Sequence, residues 1–241
     1  MKKDNFKRIE CISCTNSLCL IKKNFFFDQN ITLESQKQQS IHKKGNYVFQ
    51  AGNPIRGLNI IQNGVIELFY PGMNGKMEVV RFAGNGHVFG HVGLENQIYP
   101  SNAIAKEDTL VCFFENNVLF EMYQSSPQFI FDLLSFFSKQ HNKTVYRLIF
   151  NAKMNLREKV ADALVYLYKN FGLNEMGELK ECFSRDDIAS LACTTTEQVS
   201  RQLSDFEKDK IIEKHSRRIS ILKPEKLKQI TENFRINAIH F

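Results

Sequence analysis

The stretch SRDDIASLACTTTEQVSR, residues 184 to 201, decides the fold. Ser184 is a helix-capping residue with Asp187 three places on, and Ile188, Ala189, Leu191 and Ala192 follow as a short helix of under two turns. A turn falls at Cys193. Thr194-Thr195-Thr196-Glu197 repeats the cap logic and opens a second helix with Val199, Leu203 and Phe206 on one face. Two capped helices joined by a short turn, with the small Ala189 where they cross, outline a helix-turn-helix. Ile211-Ile212, the polar run Lys214 to Arg218, and Ile219-Ser220-Ile221-Leu222 then add a β-hairpin, the winged variant.

The second helix carries the side chains a base reader needs. Thr195, Thr196, Glu197, Ser200 and Arg201 fall opposite Val199, Leu203 and Phe206, near the end that enters a major groove. Glu accepts from cytosine N4, Arg pairs bidentately with guanine, and Ser or Thr serves base or phosphate. A plainer reading stays open for two of them: Glu197 as the third-position acid of its own capping box, and Arg201 as a solvated surface charge. Arg185, Thr195, Thr196, Lys208, Lys214, Arg217 and Arg218 are placed for phosphates, which position a protein without specifying sequence.

Upstream, Asn155 and Glu158 form a capping box for a helix carrying Val160, Leu164, Leu167 and Phe171, which Gly172 stops. Before it, from Pro127, Phe129, Ile130, Leu133, Leu134, Phe137, Val145, Leu148 and Ile149 keep helical spacing over about six turns, interrupted on one face between Ser138 and Lys143. So long an apolar stripe predicts a dimer seam through Ile130, Leu133, Leu134, Phe137, Val145 and Leu148, the alternative being an intramolecular core helix.

Further upstream the glycines crowd together. Ten of the twelve glycines lie between residues 45 and 93. They separate short runs such as Tyr47-Val48-Phe49, Leu58-Asn59-Ile60-Ile61, Val65 to Phe69, Glu78 to Phe82 and Leu110 to Phe114. Turns at that frequency predict an antiparallel sandwich or barrel.

Composition sets the outer limits. The chain has 241 residues, 43% hydrophobic and 24% charged, enough for real cores and against disorder. No apolar run approaches the roughly 20 residues needed to span a bilayer, and the opening MKKDNFKRIE leads into no apolar signal-peptide core, so a soluble cytoplasmic protein is expected. A formal net charge of +6 suits nucleic acid only weakly. Cys11, Cys14 and Cys19 form C-x2-C-x4-C, a spacing that in a cytosolic chain points to metal or an iron–sulfur cluster, and a [4Fe–4S] cluster takes four thiolates. Cys182 and Cys193 are read as packing residues.

A glycine-rich β region, a long helix and a winged helix-turn-helix resemble the cAMP receptor protein/FNR family of bacterial transcription regulators, over residues from about 10 to 230. The resemblance implies an α+β chain with an N-terminal antiparallel β-roll of the jelly-roll, cyclic-nucleotide-binding type, a long dimerisation helix and the winged domain. The expected boundaries are a cysteine-bearing segment at 1–24, a sensor roll at 25–126, the dimerisation helix at 127–152 and the DNA-binding domain at 153–241. The segment Thr196 to Arg201 is similar to the FNR branch, which implies that Glu197, Ser200 and Arg201 read a TTGAT-type half-site. A palindrome of two half-sites implies a homodimer on double-stranded DNA, with RNA polymerase as a further partner. FNR proteins carry three N-terminal cysteines and one late in the roll, inside a Val-Cys pair like Val111-Cys112, which implies Cys112 as the fourth ligand beside Cys11, Cys14 and Cys19. The spacing here departs from C-x2-C-x5-C by one residue. The implied mechanism is oxygen sensing: an intact cluster pins the N-terminal segment to the roll and favours the dimer.

In the cyclic-nucleotide branch the roll carries Gly-Glu-x-Gly-Leu followed by Arg-Ser. Here Gly90-His91-Val92-Gly93-Leu94 and Pro100-Ser101 replace the ribose-holding Glu and the phosphate-clamping Arg, which argues against cyclic AMP. A haem sensor ligated by His91 and a cofactor-free or thiol-redox regulator are the rival sensors. An enzyme is disfavoured, because the phosphate-loop, zinc-protease and nucleophile-elbow motifs are missing.

Overall fold

A computed structural model describes residues 9–25, 31–72, 77–90, 97–179, 183–215 and 218–232. His91, Cys182 and Arg217 lie outside the described residues. The chain divides into two compact units, residues 1–139 and 140–241, with the division inside the long helix.

The first unit is built on two four-stranded antiparallel sheets. Strands β1 (Gln38–His42), β8 (Thr109–Glu115), β3 (Gly57–Asn63) and β6 (Val88–Phe89) form one in that order, and β2 (Tyr47–Phe49), β7 (Asn102–Ala105), β4 (Ile66–Pro71) and β5 (Met77–Ala83) form the other. Between them Phe49, Ile61, Ile66, Phe89 and Val111 make one core. The period-two alternation sends the remaining residues of the first sheet outward. Leu58, Ile60, Val88 and Phe114 meet Ile21 of α1 (Leu20–Phe25), Val118, Leu119 and Met122 of α3 (Asn116–Ser125), and Phe129 and Leu133 of α4 (Pro127–Lys153) in a second core.

A short helix α2 (Ile31–Gln36) precedes β1. β1, β6 and β7 escaped the sequence reading. QQSIH at β1 has one strongly apolar residue in five and lies at the edge of its sheet, so no burial alternation marks it.

On α4 the apolar residues form two faces rather than one stripe. Phe129, Leu133 and Phe137, at four-residue intervals, pack onto the roll, and Leu133 is 6% exposed. Ile130, Leu134, Val145 and Leu148 are exposed. Leu133 therefore belongs to the unit's own core, and Phe137 packs partly buried against it.

In the second unit α5 (Leu156–Phe171) has the predicted capping box between Asn155 and Glu158, and Gly172 stops it at φ 76°. Val160, Leu164 and Leu167 on this helix are fully buried. Around it lie α6 (Arg185–Leu191), α7 (Thr196–Lys208), the hairpin β9 (Ile212–His215) with β10 (Arg218–Ile221), and α8 (Pro224–Ile230). Residues 177–179 add a short bridge to β10 through Glu178 and Ser220.

Candidate cysteine site and nucleic-acid interface

The position of Cys112 follows from strand alternation. On β8, Val111 points into the roll, whereas Cys112 and Phe114 point to its outer side. Register sets Cys112 between Gln39 on β1 and Ile60 on β3. The same alternation turns Gln62 outward with Leu58 and Ile60, so the outer face of this sheet offers one thiol and two amides.

The N-terminal segment lies against that face. Gln39 exchanges two hydrogen bonds with the backbone of Ile9, each 3.0 Å. Asn16 Nδ2 donates to the carbonyls of Ile61 and Gln62 at 3.1 and 3.2 Å. Gly86 makes the close approach feasible: it sits at φ 78°, and a Cβ there would lie 2.5 Å from Leu18 Cβ and 2.9 Å from its carbonyl carbon.

The result is a small cavity lined by Cys11, Cys14, Cys19 and Cys112, together with Lys22, Lys37 and Gln62. Polar side chains already reach the sulfurs. Gln39 Nε2 is 3.4 Å and Lys37 Nζ 3.3 Å from the Sγ of Cys112 and Cys11 respectively. Gln62 bridges two of them, its Nε2 3.5 Å from Cys14 Sγ and its Oε1 3.5 Å from Cys112 Sγ. Burial pushes the Cys112 thiol up to about 11, and burial with the Glu34 hydrogen bond pushes Cys11 up to about 12. Cys19 is raised by burial too. Ligating a metal requires a thiol to give up its proton, which this burial opposes.

Among the described residues no three His, Cys, Asp or Glu side chains converge on a single metal position. The four cysteines are thus gathered on one cavity without yet being aimed at a common centre. The donor set suits an iron–sulfur group: four thiols, soft ligands, with ammonium groups beside them. Sequence reasoning missed Glu34, Lys37, Gln39 and Gln62. Period two through Leu58, Ile60 and Gln62 was the signal for the last of these.

Inside the roll, Tyr99 is 6% exposed and stacks on Phe49 at 3.8 Å between centroids, with Phe89 beyond at 5.9 Å. Pro100 follows this stack where the nucleotide-binding pattern has its Arg.

In the second unit, the helix-turn-helix is closed by Thr194 N donating to Ala189 O at 3.0 Å, with Cys193 at φ 48° in the turn. Ser184 and Asp187 form the predicted capping box of α6. On α7 the cap is one residue later than predicted: Thr195 accepts from Gln198 N, and Thr194 instead bonds the Gln198 side chain. This releases Glu197 from the role of third-position acid. Val199, Leu203 and Phe206 are buried as predicted, and Glu197 and Arg201 are exposed. Arg201 pairs with Glu197 at 2.5 Å.

Ser200 is half-buried and donates to Thr196 O, while Arg185 Nη1 donates to Ser200 Oγ at 3.4 Å. Thr196 Oγ1 donates to Asp186 at 2.5 Å. The predicted phosphate contacts divide. Arg185 is exposed at the start of α6, whereas Lys214 is engaged by Glu207 at 2.9 Å and Arg218 by Glu178 at 2.9 Å. Cys193 is exposed and its Sγ accepts from Asn151 Nδ2 at 3.2 Å, so it is not the buried packing residue expected.

Comparison with known proteins agrees with both halves. Residues 158–230 match the family described as the Crp-like helix-turn-helix domain, and residues 41–126 match the cyclic nucleotide-binding domain. Electron transport regulator A of Shewanella oneidensis is 27% identical over 196 residues, 80% of this chain and 78% of that protein. The fumarate and nitrate reduction regulatory protein of Vibrio cholerae is 25% identical over 229 residues, 92% of this chain and 90% of that one. The transcriptional activator protein anr of Pseudomonas aeruginosa is 24% identical over 215 residues, 88% of each. Among solved structures, FixK2 from Bradyrhizobium japonicum superposes with a TM-score of 0.73 at 19% identity, covering 80% of this chain and 96% of that one. A CRP-family transcriptional regulator from Thermus thermophilus gives 0.69 at 18%, with the same coverage.

Proposed function

The chain belongs to the CRP/FNR family of DNA-binding transcription regulators, and from that membership we propose that it senses oxygen or redox state through an iron–sulfur cluster and binds a palindromic TTGAT-like site as a homodimer. One observation carries the sensing half: Cys112, far from the trio Cys11, Cys14 and Cys19 in sequence, lines one cavity with them. The relatives named for electron transport and for fumarate and nitrate reduction support the same reading.

Cys11, Cys14, Cys19 and Cys112 would hold the group, and when bound it would supply a centre that reacts with oxygen and electrons. Everything else in the mechanism belongs to the chain. Gln39 and Gln62 orient the Cys112 and Cys14 side chains, and Asn16 fixes the turn between Cys14 and Cys19. Cys19 leads directly into α1, whose Ile21 and Phe25 pack with Phe129, and whose Lys23 and Asn24 engage Asp132 at 2.8 and 3.1 Å. A change in the hold on the cysteines therefore reaches the first turns of α4 through α1. The opposite side of α4 exposes Ile130 and Leu134, an apolar surface suited to a second copy. At the other end of the chain Glu197, Ser200 and Arg201 read base edges, Arg185, Thr195 and Thr196 contact phosphates, and RNA polymerase is the partner that a bound regulator engages.

Purification without oxygen, with iron and acid-labile sulfide counted per chain and DNA binding read on a TTGAT palindrome in nitrogen and in air, tests this. About four of each, with Cys112→Ser abolishing both uptake and air sensitivity, is the expected result. A chain that takes up no iron, or whose binding is the same in air and nitrogen, removes the sensing half and leaves the regulator.

A further inference from the structure

Lys37 is 3% exposed, an unusual burial for a lysine, and its ammonium is fully used. Nζ lies 2.6 Å from Glu34 Oε1, donates to Ile9 O at 2.8 Å and reaches Cys11 Sγ at 3.3 Å. Glu34 closes the loop from the other side, its Oε2 accepting from Cys11 N at 3.0 Å. A single ion pair, drawn from the end of α2 and the residue before β1, thus grips Cys11 by its backbone and its sulfur and holds the chain at Ile9. Gln39 and Asn16 dock the segment at Ile9 and between Cys14 and Cys19, and the ion pair adds the hold at Cys11 itself. What needs a buried cation is a set of thiolates: four of them around a cluster carry net negative charge, which is costly away from water unless a positive group stands close.

Resting on the proposal that Cys11, Cys14, Cys19 and Cys112 hold a cluster, we infer that Lys37 is its positioning cation, fixing Cys11 against the roll before loading and balancing the thiolates afterwards. The cysteine site is then half-formed without metal, and its charge is set by a residue outside the cysteine motif.

Two readouts on the full chain test this, with Lys37→Met and Lys37→Arg. In metal-free protein, amide hydrogen exchange in residues 9–19 is expected to quicken about tenfold in Lys37→Met, while peptides from α7 keep wild-type rates and report an intact fold. In anaerobically reconstituted protein, the reduction potential is expected to shift to more negative values in Lys37→Met and to return towards wild type in Lys37→Arg, because a lost positive charge disfavours adding an electron. Unchanged exchange in Lys37→Met overturns the proposal. So does faster exchange with an unmoved potential, since Lys37 is then only packing. Should wild-type protein itself take up no iron, the cluster reading fails, and with it the charge-balancing role, whereas faster exchange still establishes Lys37 as what holds Cys11.

Discussion

Glu197 and Arg201 stand one turn apart on α7, both side chains about three-quarters exposed, and are joined at 2.5 Å. The two residues best suited to read bases hold each other in the free protein. An exposed pair of this kind contributes at most about 1 kcal/mol, so exchanging it for base contacts costs little.

Removing either reader should cost sequence discrimination more than affinity. Arg201→Ala is expected to lose about 1–3 kcal/mol of preference for a TTGAT palindrome over a scrambled duplex. Glu197→Ala should lose a similar preference while binding scrambled DNA more tightly, because it unmasks Arg201. Fluorescence anisotropy at one fixed salt concentration measures both.

Adjacent leucines on α4 should behave oppositely. Leu133→Ala opens a cavity in the core shared by α1, α3 and the roll, and should lower unfolding stability by about 2–5 kcal/mol. Leu134, 65% exposed, should tolerate Glu in the folded unit, and a proposed dimer formed through this face should then dissociate, read by sedimentation at micromolar concentration.

Gly86→Ala should act on the cysteines from a distance in sequence. Its Cβ meets Leu18, and an L-residue at φ 78° is strained, so residues 16–18 are pushed off the roll. Iron uptake should fall severalfold while thermal unfolding of the helix-turn-helix stays unchanged, as measured by iron content and calorimetry.

Acid should release α1 from α4. Lys23, with Asn24 and Gln128, holds the Asp132 carboxyl below its usual range. A depressed folded value means that this stabilisation is complete above the ordinary carboxylate value of about 4 and fades as pH falls through the lower folded value. The thermal stability difference between wild type and Asp132→Asn should be full at pH 6 and vanish in strong acid.

Much of the molecule was legible where local chemistry dictates geometry. Asn155 with Glu158 and Ser184 with Asp187 announce caps, and Val199, Leu203 and Phe206 declare a buried face, because each signal lies within one or two helical turns. The cap of α7 was misplaced by one residue because three consecutive threonines offer equivalent hydroxyls, and only the fold picks Thr195. Leu133 and Leu134 could not be told apart by periodicity, since a two-sided stripe reads like a broad one. Lys37 was illegible: its surroundings come from Ile9, Cys11 and Glu34, and a lysine in a polar run looks like any solvated charge.

The polar ties between α6 and α7 reach beyond the fold. Arg185 is bound to Ser200, and Asp186 to Thr196, so side chains on both helices are committed to one another as well as to any DNA they meet. Changes at such positions do not add. If these helices read DNA as proposed, the effect of a substitution at Ser200 or Thr196 depends on what stands at 185 or 186, so a change of operator is expected to proceed through paired substitutions.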